Sequence, residues 1–214
     1  MSKTTIRIIM AICIILIGIF VFISIKNKPA ADLPKAITIN TQGQPFIGNA
    51  KSPIKVVIFE DLKCISCMQF NVDELPQIKK DFIDNGKVKY TIVTLAFIPG
   101  SMPAANASLC IDQQNSKQFF PFVEYIYNHQ GDESTDWATI PTLLSFADKV
   151  GGIDTEKLSK CLISARFNNQ ISKNFNLAKK VMGETVSTPS VYINGTQVIP
   201  ATYKQFKTVY EAIK

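Results

Sequence analysis

The chain has 214 residues, enough for one or two domains with a sizeable core. Hydrophobic residues make up 46% of it and charged residues 19%, a balance that is typical of a globular protein and excludes wholesale disorder. The formal net charge is +6, but the lysines are scattered and form no basic stripe interleaved with aromatic residues, which disfavours nucleic-acid binding.

An uncharged apolar run extends from Ile8 to Ile25, with basic residues on both sides. A helix that crosses the bilayer needs about 18–20 apolar residues, whereas the apolar part of a signal peptide has about 7–15. A cleavage site after the run is hard to find, because small residues do not occupy both of the positions that it needs. We therefore predict an uncleaved transmembrane anchor at residues 8–25, with a cleaved signal as the alternative.

The anchor divides the chain into a short N-terminal segment and one body that lies on a single side of the membrane. Residues 1–7 precede the anchor. Residues 26–49 form a tether and lead-in, because 26–36 are polar and contain prolines. Residues 50–214 form the folded domain.

The folded domain begins with the order β-α-β. The continuously apolar run VVIF predicts a strand over Ile54–Glu60 that is covered on both faces. Apolar residues at helical spacing predict a helix from about Cys64 to Ile83, with a kink at Pro76, and VKYTIVTL predicts a second strand over Val88–Leu95. This order favours parallel pairing of the two strands through a right-handed crossover.

A block of helices separates this half of the domain from the C-terminal half. We predict helices over roughly 104–113, 116–129, 136–149, 154–163 and 166–182. The runs SVYI and QVI flank an Asn194-Gly195 turn and predict a β-hairpin, and a last helix is predicted over Tyr203–Ile213. The sequence thus predicts an α/β domain with a helical insertion at about 104–182.

Cys64 and Cys67 follow the first strand in the stretch DLKCISCMQF. Residues three apart share one face of a helix, so the two sulfur atoms can meet. Cys64 lies where the strand passes into the helix, and the free N–H groups and the dipole there stabilise a thiolate, which is the reactive form. Cys67 lies one turn further on and is placed to resolve a mixed disulfide, so the pair suits thiol–disulfide exchange.

A metal site would need more ligands than this pair offers. Structural zinc usually takes four cysteine or histidine ligands, often as two close pairs. Cys110 and Cys161 are far apart in the sequence and His129 is the only histidine, so we predict no zinc site. A thioredoxin-like copper-binding or copper-delivery protein remains a hypothesis of another class.

The stretch VSTPSVYING, residues 186–195, carries a second feature. Pro189 opens a strand at a place where no ladder N–H is lost. A cis peptide bond before it would form a tight turn. Thr188 and Pro189 would then face the cysteine pair and offer backbone groups to an extended substrate.

Together, FEDLKCISCMQF, the following ELPQIKKDFIDNGKVKYTIVTL and the later VMGETVSTPSVYINGTQVI resemble the DsbA-like branch of the thioredoxin superfamily, over about residues 50–214. The resemblance implies a thioredoxin fold with a helical insertion. It also implies disulfide exchange with unfolded or secreted cysteine-containing proteins, which needs no cofactor. By the same resemblance Cys64 would attack and Cys67 would resolve. Thr188 would precede a cis Pro189.

Two positions depart from the pattern of the family. Ile65-Ser66 separates the cysteines where the strong oxidant has Pro-His, so Cys64 should be less acidic. Ile58 stands six residues before Cys64, where related proteins carry an acid. The nearest acids, Glu60 and Asp61, are either surface charges or relay protons to the second cysteine.

Cys110 and Cys161 each lie on a predicted helix of the insertion. They are either two buried thiols or a disulfide that pins the insertion. We expect the disulfide, since paired cysteines in an oxidising compartment tend to be bonded.

The anchor and the redox motif together predict a membrane-tethered, extracytoplasmic oxidoreductase that introduces disulfides into secreted or envelope proteins. We expect a single-pass protein of the inner membrane with its catalytic domain in the periplasm. The outer face of a Gram-positive membrane and a soluble periplasmic form after signal cleavage are the alternatives. A quinone-linked membrane partner would reoxidise the pair. The alternative activity is that of a reductase or isomerase of the same fold, kept reduced by another donor.

Overall fold

A five-stranded sheet forms the centre of residues 33–214, the part of the chain that the computed structural model describes. Its strands are β1 (Phe46–Gly48), β2 (Lys55–Asp61), β3 (Lys89–Leu95), β4 (Ser190–Ile193) and β5 (Thr196–Val198). They lie in the order β1-β3-β2-β4-β5. β2 and β3 are parallel, as predicted, and the other neighbouring strands are antiparallel.

The N-terminal part of the described chain contributes one strand that was not predicted from the sequence. β1 lies within the predicted lead-in, residues 26–49, and pairs with β3. Three residues are too few to show the alternation by which a strand is recognised. The predicted membrane anchor at 8–25 lies outside the described residues. Within residues 33–214, no helix has both the length and the apolar character needed to cross a membrane.

The crossover between β2 and β3 is a helix of changing type. It consists of α1 (Ile65–Gln69), a π-helical segment (Phe70–Glu74), α2 (Leu75–Ile78) and a second π-helical segment (Lys79–Ile83). Pro76 lies in the first turn of α2, where its missing N–H costs little. The position of the predicted kink therefore coincides with a change of helix type.

The helical insertion lies between β3 and β4. It consists of α3 (Met102–Gln114), a short 3-10 turn (Ser116–Gln118), α4 (Phe119–His129), α5 (Ile140–Val150), α6 (Thr155–Ile163) and α7 (Asn168–Met182). α5 begins at Ile140 rather than near 136, because the hydroxyl of Thr139 accepts from the N–H of Thr142 and caps the helix. The last helix, α8 (Tyr203–Ile213), has the predicted bounds.

Apolar side chains pack on both faces of the sheet. Successive residues of a strand point to opposite faces. Val56 and Ile58 of β2 accordingly belong to the larger core, beneath the crossover helix, α8 and the insertion. Val57 and Phe59 belong to the smaller core. Glu60 shares the face of Ile58, so β2 directs this carboxyl group into the larger core just before the turn that leads to α1.

Candidate active site

Cys64 caps α1 at the point where the chain leaves β2. It is the N-cap residue and has extended backbone angles. Cys64 and Cys67 are both free thiols in the structure. Cys64 keeps 7% of its surface exposed, whereas Cys67 is completely buried. The pair is therefore asymmetric, because only the first sulfur atom can be reached from outside.

The surroundings push the pKa values of the two thiols in opposite directions. The pKa of Cys64 is lowered to about 6, first by a hydrogen bond from the thiol of Cys67 and also by the side chain of Thr188 and the backbone N–H groups of Cys67 and Ser66, which together outweigh the opposing effect of burial. Burial raises the pKa of Cys67 well above its usual value, and the neighbouring Cys64 and Glu60 raise it further. At neutral pH this arrangement favours a Cys64 thiolate beside a protonated Cys67.

The loop before β4 faces the cysteine pair. The peptide bond between Thr188 and Pro189 is cis. The sulfur of Cys64 lies 3.7 Å from the carbonyl oxygen of Thr188, to which it donates a hydrogen bond when it is protonated. The fold thus brings Thr188 and Pro189 next to a cysteine that is more than a hundred residues away in the sequence.

Glu60 places a carboxyl group in the core near Cys67. It is completely buried. Its Oε1 accepts from Nδ2 of Asn71 at 2.6 Å and its Oε2 accepts from the hydroxyl of Tyr127 at 3.3 Å. Desolvation by burial raises the pKa of Glu60 to about 8, so the group is mostly protonated at neutral pH. The surface-charge interpretation is wrong for Glu60, because the strand turns it to the face of Ile58.

Asp61 is also completely buried, but it holds a loop in place. Its Oδ2 accepts from the N–H groups of Phe97 and Ile98 at 2.9 and 3.0 Å and from the hydroxyl of Ser101 at 2.9 Å. Its Oδ1 accepts from the N–H of Lys63 at 3.0 Å. The surface-charge interpretation is therefore wrong for Asp61 too, because its carboxylate joins the turn after β2 to the loop after β3.

Lys63 is a buried cation next to Cys64, with 1% of its surface exposed. Its Nζ donates to the carbonyl oxygens of Pro99 and Thr135, each at 2.8 Å. Pro99 lies in the loop after β3, and Thr135 lies in the loop between α4 and α5. A Cβ at Gly100, where φ is +77°, would meet this Nζ at 3.2 Å. This role was not predicted from the sequence, since lysines in turns are mostly exposed.

The loop between α4 and α5 also contacts the helix that follows Cys64. Oε2 of Glu133 accepts from the N–H of Ile65, the first residue of α1, at 2.8 Å. Glu133 was not singled out from the sequence, because it lies in a loop and 68 positions separate the two residues. Its carboxylate thus contacts the first N–H of α1 directly.

Cys110 and Cys161 are joined by a disulfide bond in the structure, with their Cα atoms 6.1 Å apart. Cys110 belongs to α3 and Cys161 to α6, so the bond links two helices of the insertion. The four cysteines of the described domain thus form two separate pairs, one free and one bonded.

Known proteins share this fold and sequence pattern. The thioredoxin family model matches residues 40–212. Disulfide bond formation protein D of Bacillus subtilis is 35% identical over 172 residues, which cover 79% of this chain and 77% of the relative. Among solved structures, oxidised BdbD from Bacillus subtilis has a TM-score of 0.76 at 34% identity and covers 83% of this chain and 97% of its own. DsbA from Chlamydia trachomatis has a TM-score of 0.75 at 29% identity, over 83% of this chain and 95% of that one.

The fold and these relatives together define the class of protein. It is a protein-disulfide oxidoreductase built on a thioredoxin fold with a helical insertion. Within that class, the chain belongs to the DsbA-like thiol:disulfide oxidoreductases. The family expected from the cysteine pair and the Thr-Pro stretch is thereby confirmed.

Proposed function

We propose that this protein is a membrane-tethered, extracytoplasmic oxidase that introduces disulfides into secreted or envelope proteins through Cys64 and Cys67. One observation carries the proposal, namely the asymmetry between a reachable thiol of low pKa and a buried thiol of high pKa. A stabilised thiolate favours the reduced enzyme, and this makes the disulfide form a stronger oxidant. The pKa of about 6 for Cys64 lies between about 7 for thioredoxin and about 3.5 for the strong oxidant.

The exchange takes place in two steps at Cys64. A substrate thiolate attacks the sulfur of Cys64 in the Cys64–Cys67 disulfide, and Cys67 leaves with the electron pair of the broken bond and takes up a proton. A second substrate thiol loses its proton and attacks the substrate sulfur of the mixed disulfide, and Cys64 leaves as a thiolate. Two electrons pass from the substrate to the enzyme, and the substrate gains one disulfide.

Glu60 is the group that would supply the proton to Cys67. Cys67 is completely buried, so the proton must come from inside the protein. The pKa of Glu60, raised to about 8, keeps this carboxyl group protonated at neutral pH. The amide of Asn71 connects the two residues, because its Nδ2 donates both to Glu60 and, at 3.0 Å, to the carbonyl oxygen of Cys67.

The surroundings of Cys64 support the proposed class of substrate. Thr188 and Pro189 would hold an extended segment of an unfolded or secreted protein beside the sulfur. Ile65 and Phe97 add apolar surface, with 43% and 40% of each exposed. A quinone-linked membrane partner would reoxidise the pair.

The anchor expected at residues 8–25 would hold the domain on the periplasmic side of the inner membrane. The outer face of a Gram-positive membrane is the alternative. The transmembrane helix, the tether and the folded domain at 50–214 would then form a single-pass protein whose exchange site lies where disulfides persist.

Two other functions predict different measurements. A reductase or isomerase would use the same cysteines and differ in reduction potential. A copper-delivery protein would bind the metal tightly and stoichiometrically when reduced; within residues 33–214 no group of three or more His, Cys, Asp or Glu side chains could hold a metal ion.

Equilibration of the whole chain with reduced and oxidised glutathione tests the proposed direction. A potential closer to about −120 mV, the value of a strong oxidant, supports the oxidase, whereas one near about −270 mV, the value of thioredoxin, contradicts it. The oxidised protein should also restore disulfides to reduced ribonuclease A. The Cys64→Ser variant, tested in parallel, should not.

A further inference from the structure

The N-terminal end of α1 holds two acidic groups at once. Cys64 is the N-cap residue of α1, and the nearby backbone N–H groups of Cys67 and Ser66 help to lower its pKa. The carboxylate of Glu133 accepts from the N–H of Ile65 at 2.8 Å. The first N–H groups of a helix have no partner within the helix, so the sulfur and the carboxylate both lie at an end that favours negative charge.

The loop between α4 and α5 is built to hold Glu133 in this place. The carboxylate of Asp132 accepts from the N–H of Ser134 at 2.8 Å, and the N–H of Thr135 donates to the carbonyl oxygen of Asp132 at 3.0 Å. The turn that these bonds close is attached to Lys63 through the carbonyl oxygen of Thr135. Glu133 is half-buried, whereas Asp132 and Ser134 are exposed. Its contact with α1 is therefore fixed by the turn around it.

We propose that Glu133 is a positioning residue that lowers the oxidising strength of the cysteine pair. In the reduced protein a thiolate at Cys64 lies at the same helix end as the carboxylate, whereas in the disulfide form the sulfur is neutral. Two like charges raise the free energy of the reduced state alone, so the disulfide accepts electrons less readily. The effect presupposes the exchange proposed for Cys64 and Cys67, on which this inference rests.

The other charged groups near Glu133 make contacts elsewhere. Asp132 is engaged with Ser134. Asp136 and Lys63 both approach Gly100, since a Cβ there would meet Oδ1 of Asp136 at 2.9 Å and Nζ of Lys63 at 3.2 Å. Lys63 donates instead to the carbonyl oxygens of Pro99 and Thr135. Glu133 is the member of this group whose carboxylate contacts α1 directly.

Glu133→Gln is the decisive variant, because glutamine keeps an oxygen that accepts from Ile65 and removes the charge. The reaction to follow is that of two glutathione thiols with the Cys64–Cys67 disulfide, which yields one glutathione disulfide and the protein dithiol. Charges near helix ends lead us to expect that the equilibrium constant of this reaction rises about two- to fivefold in the whole chain. At about 30 mV for each tenfold change, the potential becomes about 10–20 mV less negative.

A second readout separates this role from a merely structural one. The pKa of Cys64, followed by the ultraviolet absorbance of the thiolate, should fall together with the change in potential. Loss of packing alone would lower the stability to urea and leave both quantities unchanged. The matched control is Glu124→Gln, which removes one negative charge from an exposed position on α4 and should leave both as in the parent.

An unchanged or lowered equilibrium constant in Glu133→Gln would overturn the inference. If that variant does not fold, Glu133→Ala removes the same charge and must shift the equilibrium in the same direction. Absence of exchange between the parent chain and glutathione would instead overturn the proposed function. A parent that exchanges normally and a variant that matches it would overturn the role of Glu133 alone.

Discussion

Cys64 and Cys67 lie within one turn of the same helix, whereas Cys110 and Cys161 join two helices of the insertion across 51 positions of the sequence. Cys64 is the N-cap residue of its helix, and the backbone N–H groups of the first turn help to lower its pKa. Cys110 lies inside α3, where the N–H groups are already bonded along the helix. Backbone N–H groups therefore stabilise a cysteine thiolate in the first region, and no such free donors are available to the cysteine in the second.

The difference shows that the place of a cysteine within a helix decides what its sulfur can do. The backbone N–H groups at the start of the helix lower the pKa of Cys64, so Cys64 would be a good leaving group when a mixed disulfide at its sulfur is resolved. In the second pair the bond closes a long loop of chain, and it stabilises the fold mainly by restricting the unfolded state. The Cys64–Cys67 pair suits repeated oxidation and reduction, and the Cys110–Cys161 pair suits a lasting structural disulfide.

The largest expected effect comes from removing the reachable sulfur. Cys64→Ser should reduce disulfide exchange to below about 1% of the parent rate, because substrate thiols cannot reach Cys67. The rate of ribonuclease A reoxidation measures this, with circular dichroism to show that the variant is folded. Substantial remaining activity would mean that the asymmetry of the pair is not what drives the reaction.

Removal of the Cys110–Cys161 disulfide should lower stability and leave the exchange reaction of Cys64 and Cys67 intact. Replacing both Cys110 and Cys161 by alanine should lower the free energy of unfolding by about 4 kcal/mol, the loop-entropy value for a separation of 51 residues. Urea denaturation measures the loss. The exchange rate at a temperature where the variant is folded should stay within about twofold of the parent, and a larger fall would break the division between the two regions.

Glu60 should make the stability of the redox region depend on pH. Its pKa rises from an ordinary 4.5 to about 8 on folding, so its contribution is complete below pH 4.5 and is lost as the pH rises towards 8. From pH 5.5 to 7.5 the free energy of unfolding should fall by about 2–3 kcal/mol through this group. Glu60→Gln should remove that fall in urea titrations, and Glu124→Gln, at an exposed position, should keep it.

Asp61 should show a smaller effect that depends little on the protonation of the thiols. In Asp61→Asn one oxygen becomes an NH2 group that cannot accept, so at least one of the four buried donors loses its partner, and this should cost about 2 kcal/mol of unfolding free energy. Ser101→Ala is the matched control, since it removes one of the four donors and should cost about half as much. An equal loss in both variants would show that the backbone donors add nothing.

Local patterns were sufficient to predict most of the elements. The parallel strands, the hairpin at Asn194-Gly195 and the helix at Tyr203–Ile213 each depend on residues that are close together in sequence. The burial of Glu60 could also have been predicted, because it stands two residues after Ile58 and must share its face. A strict reading of strand alternation would have excluded the surface-charge interpretation.

The loops around the cysteines could not be predicted in this way. The contacts of Glu133 with Ile65 and of Lys63 with Thr135 join residues 68 and 72 positions apart. They form because the loop between α4 and α5 packs against the end of the sheet. No repeating pattern in either segment predicts that these two parts of the chain lie close together. The same holds for the π-helical segments of the crossover, which the spacing of 3.6 residues cannot reveal.

The buried ammonium group of Lys63 also bears on how a substrate is received. It donates to the carbonyl oxygens of Pro99 and Thr135 and so joins the two loops beside Cys64 without any bound peptide. The conformational entropy lost in joining these loops is then lost on folding and not again at each encounter. We therefore expect the affinity for substrates of different sequence to vary with the side chains that they bring more than with closure of the protein around them.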